Sequence, residues 1–304
     1  MTDLTPRFPQ LAGLFTAILT PFEATGEVAY SGLPELLHWQ KQSGIDGVVV
    51  SGTNGEGTSL SVEERNRLVD AALAANSGLK IIAGTGAASV KDAVVLTKHA
   101  AAAGADAALV LPPFFFKQTT EAGIVDYFER VLDAANIPVL LYHIPQFSMV
   151  PITNTVIEQL QHHPNLAGLK DSTGNWEGTV QYVNTFPHLL VFAGNDHLTH
   201  LITAAGGAGS ISGTANSFPE LVANVRRLYL TGDVNGSRNA QRILDEVMAI
   251  LQDFPPFAVN KSVITMRGKP VYSVRPPIKV LTEEQLNHLR SRLEPYLSAV
   301  LQDS

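Results

Sequence analysis

The chain has no cysteine among its 304 residues, and charged residues make up only 16% of it. The first absence excludes a disulfide framework, a thiolate nucleophile and any zinc or iron–sulfur site built on sulfur. A metal would have to be held by histidine and carboxylate. Cations are the scarcer charge, 21 Lys and Arg against 28 Asp and Glu, for a formal net charge of −7. That balance argues against a nucleic-acid backbone or an anionic membrane as partner, since both are recognised by clustered Lys and Arg. Long apolar runs are missing too: no stretch approaches the roughly 18 uninterrupted apolar residues of a spanning helix. Met1 to Gln10 carries Asp3, Pro6 and Arg7 where a signal peptide needs an apolar core. What remains is the profile of a small-molecule enzyme, expected in the cytoplasm and long enough for two ordinary domains or one large barrel.

What the sequence does have is eight short apolar runs, at 13–20, 46–52, 79–86, 106–113, 138–145, 166–172, 189–195 and 207–213. Most end in a Gly-, Ser- or Pro-containing turn and lead into a stretch of helical periodicity. Ser61 to Ala75 opens S-V-E-E, placing acids in a helix's first turn, and Ser89 to Ala103 starts at an N-cap residue. Apolar strands regularly separated by helices describe a parallel sheet buried on both faces. The first turn, Thr20-Pro21-Phe22, lacks the G-x-G-x-x-G of a dinucleotide-binding sheet, and Gly84-Thr85-Gly86-Ala87-Ala88-Ser89 lacks the third glycine. The expected architecture is therefore an α/β (β/α)8 TIM barrel over residues 1–230. Helical patterns broken at Phe254-Pro255-Pro256 and Arg275-Pro276-Pro277 predict a C-terminal helical extension over 231–304, packed on the barrel.

Such a barrel carries its site at the C-terminal ends of the strands, so polar residues closing an apolar run are the candidates. Lys170 closes the sixth run, and it is one of only nine lysines. Partial desolvation at such a position favours a neutral amine, a nucleophile toward a ketone. The plain alternative is a lysine paired with Asp171 or another rim acid. Tyr142 ends the fifth run, where a phenol can shuttle protons or simply cap the core with its hydroxyl on a carbonyl. The turn Gly52-Thr53-Asn54-Gly55 offers amides and a hydroxyl that can hold a small carboxylate. It serves equally as an ordinary strand-to-helix loop, with Glu56 bonding within it.

Three segments, Gly52-Thr53-Asn54-Gly55-Glu56, Tyr142-His143-Ile144-Pro145 and Gly168-Leu169-Lys170-Asp171-Ser172, together resemble the pyruvate-dependent lyases that include dihydrodipicolinate synthase and N-acetylneuraminate lyase. The resemblance runs from Gly13-Leu14 to Val274-Arg275-Pro276-Pro277. It implies an imine between Lys170 and the keto carbon of pyruvate or another 2-keto acid, with Tyr142 as proton shuttle. It also implies that Thr53, Asn54 and Gly55 hold the carboxylate, the Thr53 hydroxyl joining the relay. The Ile211 carbonyl in Gly209-Ser210-Ile211-Ser212 would face the bound pyruvate, and an aldehyde would be the second substrate. It implies no cofactor and no metal, and a homotetramer or homodimer.

Two departures bear on the aldehyde. The synthases carry Y-N-V-P-G-R-T, and Phe147 stands where their arginine would be. Their P-Y-Y segment is Pro113-Phe114-Phe115 here, so Phe115 replaces the hydroxyl that extends the relay between subunits. Both argue against lysine biosynthesis unless other arginines compensate, and dihydrodipicolinate synthase stays the alternative. At most two of Phe114, Phe115, Phe116 and Phe147 are expected at the site. Asp196 and His197 sit where the sialic-acid lyases bind sugar hydroxyls. Asn54 in place of a second threonine is similar to the 4-hydroxy-2-oxoglutarate and 2-keto-3-deoxy-sugar-acid aldolases, the preferred direction. Two rivals remain: a metal-dependent barrel hydrolase built on Asp196, His197 and His200, and a keto-acid-binding protein without turnover.

Overall fold

A computed structural model describes residues 5–302. Its eight strands are β1 Gly13–Ala17, β2 Gly47–Val50, β3 Lys80–Gly84, β4 Ala107–Val110, β5 Val139–His143, β6 Leu166–Asp171, β7 Leu190–Ala193 and β8 Gly209–Ser212. Each falls within one of the eight apolar runs. They pair in parallel in sequence order, and β8 returns to β1 to close the barrel.

Helices α1 Leu33–Gln42, α2 Val62–Ala74, α3 Val90–Ala103 and α4 Glu121–Leu132 cover the first half, and α5 Pro145–Ser148, α6 Asn154–Leu160, α7 Trp176–Thr185, α8 Thr199–Ala204 and α9 Pro219–Leu230 the second. The sequence sets their starts. Ser61 caps α2, accepting from the Glu64 amide while Glu64 reaches back to the Ser61 amide, a reciprocal capping box. Ser89 caps α3 by accepting from the Asp92 amide. Beyond the barrel come α10 Val234–Gln252, α11 Ala258–Met266 and α12 Glu283–Gln302, the C-terminal extension. Among the described residues no helix is long and apolar enough to cross a membrane.

Strand side chains alternate between two apolar layers. Phe15, Val49, Ile82, Leu109, Leu140, Phe192 and Ile211 fill the barrel interior, with Phe15 and Phe192 edge to face at 5.8 Å. Val48, Val139, Leu141, Leu169 and Val191 instead pack outward against the helices. The seam between first and last strands is tied by Asn216, whose Nδ2 donates to the Ala17 carbonyl at 2.8 Å and whose Oδ1 accepts from the Leu19 amide at 2.8 Å.

Candidate active site

Tyr142 and Lys170 face each other across one rung of the sheet, as do His143 and Asp171. The two-residue period of a strand sends the members of each sequence pair to opposite faces. Tyr142 joins the interior cluster, whereas His143 turns outward, its Nδ1 in hydrogen-bond contact with the Ile152 carbonyl at 3.0 Å. Asp171 turns outward too, accepting from the Thr173 amide at 3.0 Å, the Thr173 hydroxyl at 3.1 Å and the Thr179 hydroxyl of α7 at 2.6 Å. The pairing of Lys170 with Asp171, left open by the sequence, is thus absent. Lys170 is 3% exposed, and among the described residues it forms no ion pair; its ammonium lies 4.2 Å from the centroid of the Tyr142 ring.

The phenol in turn lies 3.3 Å from Thr53 Oγ1. Burial alone would raise the Tyr142 pKa. The Lys170 charge opposes that, joined by hydrogen bonding with Thr53 and by the polar groups of Ser172 and Lys170 nearby, and together they leave the phenol below the usual tyrosine range. A hydroxyl with an easily released proton, set between an amine and a second hydroxyl, is suited to general acid–base work.

Two adjoining cavities meet at this tyrosine. The first, of about 420 Å³, contains Lys170, Thr53, Asn54, Ile211 and Asp196, and its far wall comes from α10, α11 and the turn between them through Leu251, Phe254, Phe257 and Asn260. The second, of about 400 Å³, is lined by Leu109, Leu111, Phe114, Phe257 and the Arg65 side chain. Thr53, Tyr142, Ile144, Phe147 and Phe257 border both. Lys170 is the only cation on the wall of the first cavity among the described residues.

A sequence model described as the dihydrodipicolinate synthetase family matches residues 10–295. The chain belongs to that family. It is 38% identical over 289 residues to an uncharacterized DapA-like lyase of Chloroflexus aurantiacus, covering 93% of this chain and 96% of that one. It is 32% identical over 286 residues to the 4-hydroxy-tetrahydrodipicolinate synthase of Neisseria meningitidis serogroup B, covering 93% and 98% of the two chains. A solved variant of the 2-keto-3-deoxygluconate aldolase of Sulfolobus solfataricus superposes with a TM-score of 0.89 at 26% identity, covering 96% of this chain and 98% of that one. This member of the dihydrodipicolinate synthetase family is a carbon–carbon lyase of the imine-forming, pyruvate-dependent kind.

Of the residues singled out from the sequence, Lys170, Tyr142, Thr53, Asn54, Ile211, Asp196 and Phe147 border the lysine cavity. Gly55 does not: it is buried behind the turn, its carbonyl accepting from Thr20 Oγ1 at 2.6 Å, and it lines neither cavity. Asp196 Oδ2 accepts from the Thr214 amide at 2.9 Å, while its buried Oδ1 has no partner. His197 instead reaches outward to Asp245 at 2.8 Å, and His200 to Ser237 at 2.8 Å. Among the described residues no group of three His, Asp or Glu is placed to hold a metal ion. Phe114 and Phe147 reach the cavities, but Phe115, with φ +84° and 82% exposed, points to solvent and stacks edge to face on Phe116.

Three features were not anticipated. Ser172 borders the lysine cavity with a buried hydroxyl that makes no hydrogen bond of its own. Its place two residues after Lys170, on the same strand face, was the signal. Gly194, just past the end of β7, makes room for both: a Cβ there would collide with Ser172 Oγ and stand 2.7 Å from Lys170 Cε. Arg65, buried in α2, donates to the Gly84 carbonyl at 2.5 Å and the Gly86 carbonyl at 3.0 Å, and desolvation holds its pKa down at about 10. The cue was an arginine in the apolar stripe it shares with Leu68, Val69 and Ala72. Finally, Lys261 of α11 is buried against Glu56, so Glu56 bonds outside its own loop.

Proposed function

We propose that Lys170 attacks the keto carbon of pyruvate, or of a longer 2-keto acid, to form a carbinolamine that loses water to an imine. Tyr142 moves the protons on and off the carbinolamine oxygen, and Thr53 connects to the same phenol. In the synthetic direction a proton leaves the pyruvate methyl, the enamine carbon bonds to the aldehyde carbon, and water then releases Lys170. In cleavage the 4-hydroxyl loses its proton as the C3–C4 bond breaks, the electron pair passing into the imine. The Thr53–Asn54 turn and the Ile211 carbonyl are assigned to the pyruvate end, and Asp196, Ser172 and Phe147 to the aldehyde end.

One observation carries this reading: a buried amine without a carboxylate partner lies against the face of a phenol that meets a hydroxyl. Borohydride reduction in the presence of pyruvate, followed by peptide mass analysis, tests it. The expected product is a reduced pyruvate adduct on Lys170; no adduct, or one on another lysine, overturns the proposal.

The aldehyde partner follows from the remaining wall. With no second cation among the described residues that line the lysine cavity, a second carboxylate, on the aldehyde, would lack the bidentate ion pair that an arginine supplies. Uncharged amides and hydroxyls, Asn195, Gln252, Asn260, Ser172 and Thr214, face the space instead. They fit an uncharged hydroxyaldehyde, so a 2-keto-3-deoxy acid or related 4-hydroxy-2-oxo acid is favoured over the condensation of a dihydrodipicolinate synthase. Pyruvate release from 2-keto-3-deoxygluconate, compared with condensation of pyruvate and aspartate semialdehyde, discriminates the two. A homotetramer or homodimer is part of the proposal, supported by exposed Phe115, Phe116, Phe147 and Met149 and checked by sedimentation. So is a cytoplasmic location, checked by cell fractionation.

A further inference from the structure

Two lysines are buried among the described residues: Lys170 in the cavity, and Lys261 behind the turn that carries Thr53. Lys261 Nζ lies 2.6 Å from Glu56 Oε1, their side chains 2% and 0% exposed. The same ammonium donates to the Ser273 carbonyl at 2.6 Å and sits 4.3 Å from the centroid of the Phe22 ring. The second oxygen of Glu56 accepts from the Arg275 amide at 3.0 Å. Both carboxylate oxygens of a barrel loop are therefore held by the C-terminal extension.

The turn they hold is conformationally demanding. Ser51 at φ +59° and Glu56 at φ +53° are non-glycine residues in the left-handed region, and the four residues between them include Thr53. Such conformations persist only where the surroundings impose them. Within the turn the Glu56 amide donates to the Thr53 carbonyl at 3.1 Å, so a shift of Glu56 passes directly to Thr53. Gly57 closes the turn by donating to the Gly52 carbonyl at 3.0 Å, and a Cβ on it would collide with the Ser51 carbonyl.

We infer that Lys261 is a positioning residue of the reaction: through Glu56 it fixes the turn that sets Thr53 Oγ1 beside the Tyr142 phenol. The inference rests on the proposed proton-transfer role of Thr53 and Tyr142. A buried ion pair adds little stability compared with apolar residues of similar volume, so the value of this one lies in the geometry it imposes. The charged groups facing Lys261 are Glu56 from the loop after β2 and Arg275 from the segment after α11, with the Phe22 ring covering it from the loop after β1. Desolvation lowers the ammonium's pKa to about 8, against the opposing pull of Glu56, so the grip loosens within an accessible alkaline range.

The test needs only pyruvate. Exchange of its methyl protons in D2O, followed by NMR, reads imine formation and proton transfer together, while borohydride trapping reads imine formation at Lys170 alone. In Lys261→Met the exchange rate is expected to fall at least about tenfold, as for loss of a positioned proton-transfer group, with the adduct on Lys170 still formed. In Glu56→Gln/Lys261→Met, which loses the same grip but buries no unpaired charge, the rate is expected to fall by a similar factor. Exchange within twofold of wild type in Lys261→Met overturns the inference. So does exchange within twofold of wild type in the double variant, which keeps the test open should the single variant fail to fold. If the wild type traps no pyruvate on Lys170, the proposed function itself falls and takes the inference with it; normal trapping with unaffected variants sinks the inference alone.

Discussion

Raising the pH from 7.5 to 10 should increase the stability of the wild type relative to Glu56→Gln/Lys261→Met. Lys261 has its pKa lowered from 10.5 to about 8 in the folded chain, with burial as the main cause. Below pH 8 both folded and unfolded chains carry this proton, and the cost of burying the ammonium is fully present. Between pH 8 and 10.5 the folded chain has released the proton while the unfolded chain retains it. The unfolded state then binds more protons, and stability rises with pH. A shift of this size corresponds to about 3 kcal/mol across the whole window, at about 1.4 kcal/mol per pKa unit, and most of it is gained by pH 10. The double variant lacks the titrating group but keeps every other lysine and tyrosine, so their contributions largely cancel in the difference. Urea unfolding of both proteins at the two pH values measures it. A stability difference that stays constant, or moves in favour of the variant as pH rises, would refute the assignment of a desolvated ammonium at Lys261.

Three substitutions probe the cavity directly. Lys170→Arg keeps a cation but has no amine able to form the imine, so borohydride trapping and turnover are both expected to vanish; a surviving pyruvate adduct would contradict the assignment. Tyr142→Phe keeps the ring that fills the barrel interior and removes the shuttle, and kcat should drop about 10²- to 10⁴-fold with little change in the unfolding midpoint. Ser172→Ala removes an unpartnered hydroxyl. Its loss should reduce kcat/KM for a hydroxylated 2-keto acid about five- to tenfold, equivalent to roughly 1 kcal/mol of lost hydrogen bonding, and leave pyruvate methyl exchange unaltered; an equal effect on both would place Ser172 elsewhere in the reaction.

Local signals in the sequence were reliable where the physics is local. The eight apolar runs contain the eight strands, and Ser61 and Ser89 cap their helices, because a strand's burial and a helix's first turn depend on neighbours a few residues away. Strand alternation, by which consecutive residues face opposite sides and alternate ones share a side, separates Lys170 from Asp171 and marks Ser172. What local signals have no access to is distance in space across the chain. Glu56 read as serving its own loop because its partner lies 205 residues later, and nothing near position 56 marks Lys261. For the same reason nothing in the sequence marks the stretch from Leu251 to Asn260 as the far wall of the cavity. Nor does composition decide which phenylalanines enter a pocket. Phe115 and its neighbour Phe114 part ways because the backbone turns left-handed at 115.

The grip of the C-terminal extension on the second loop also bears on the order in which the molecule is completed. During synthesis the eight strands have all emerged before Lys261 and Arg275 are added, so the barrel can close around its interior while Glu56 still lacks both of its distant partners. Competence for chemistry would therefore trail formation of the barrel, and a chain ending before Lys261 would lack both partners of Glu56 and leave the turn that carries Thr53 unsecured.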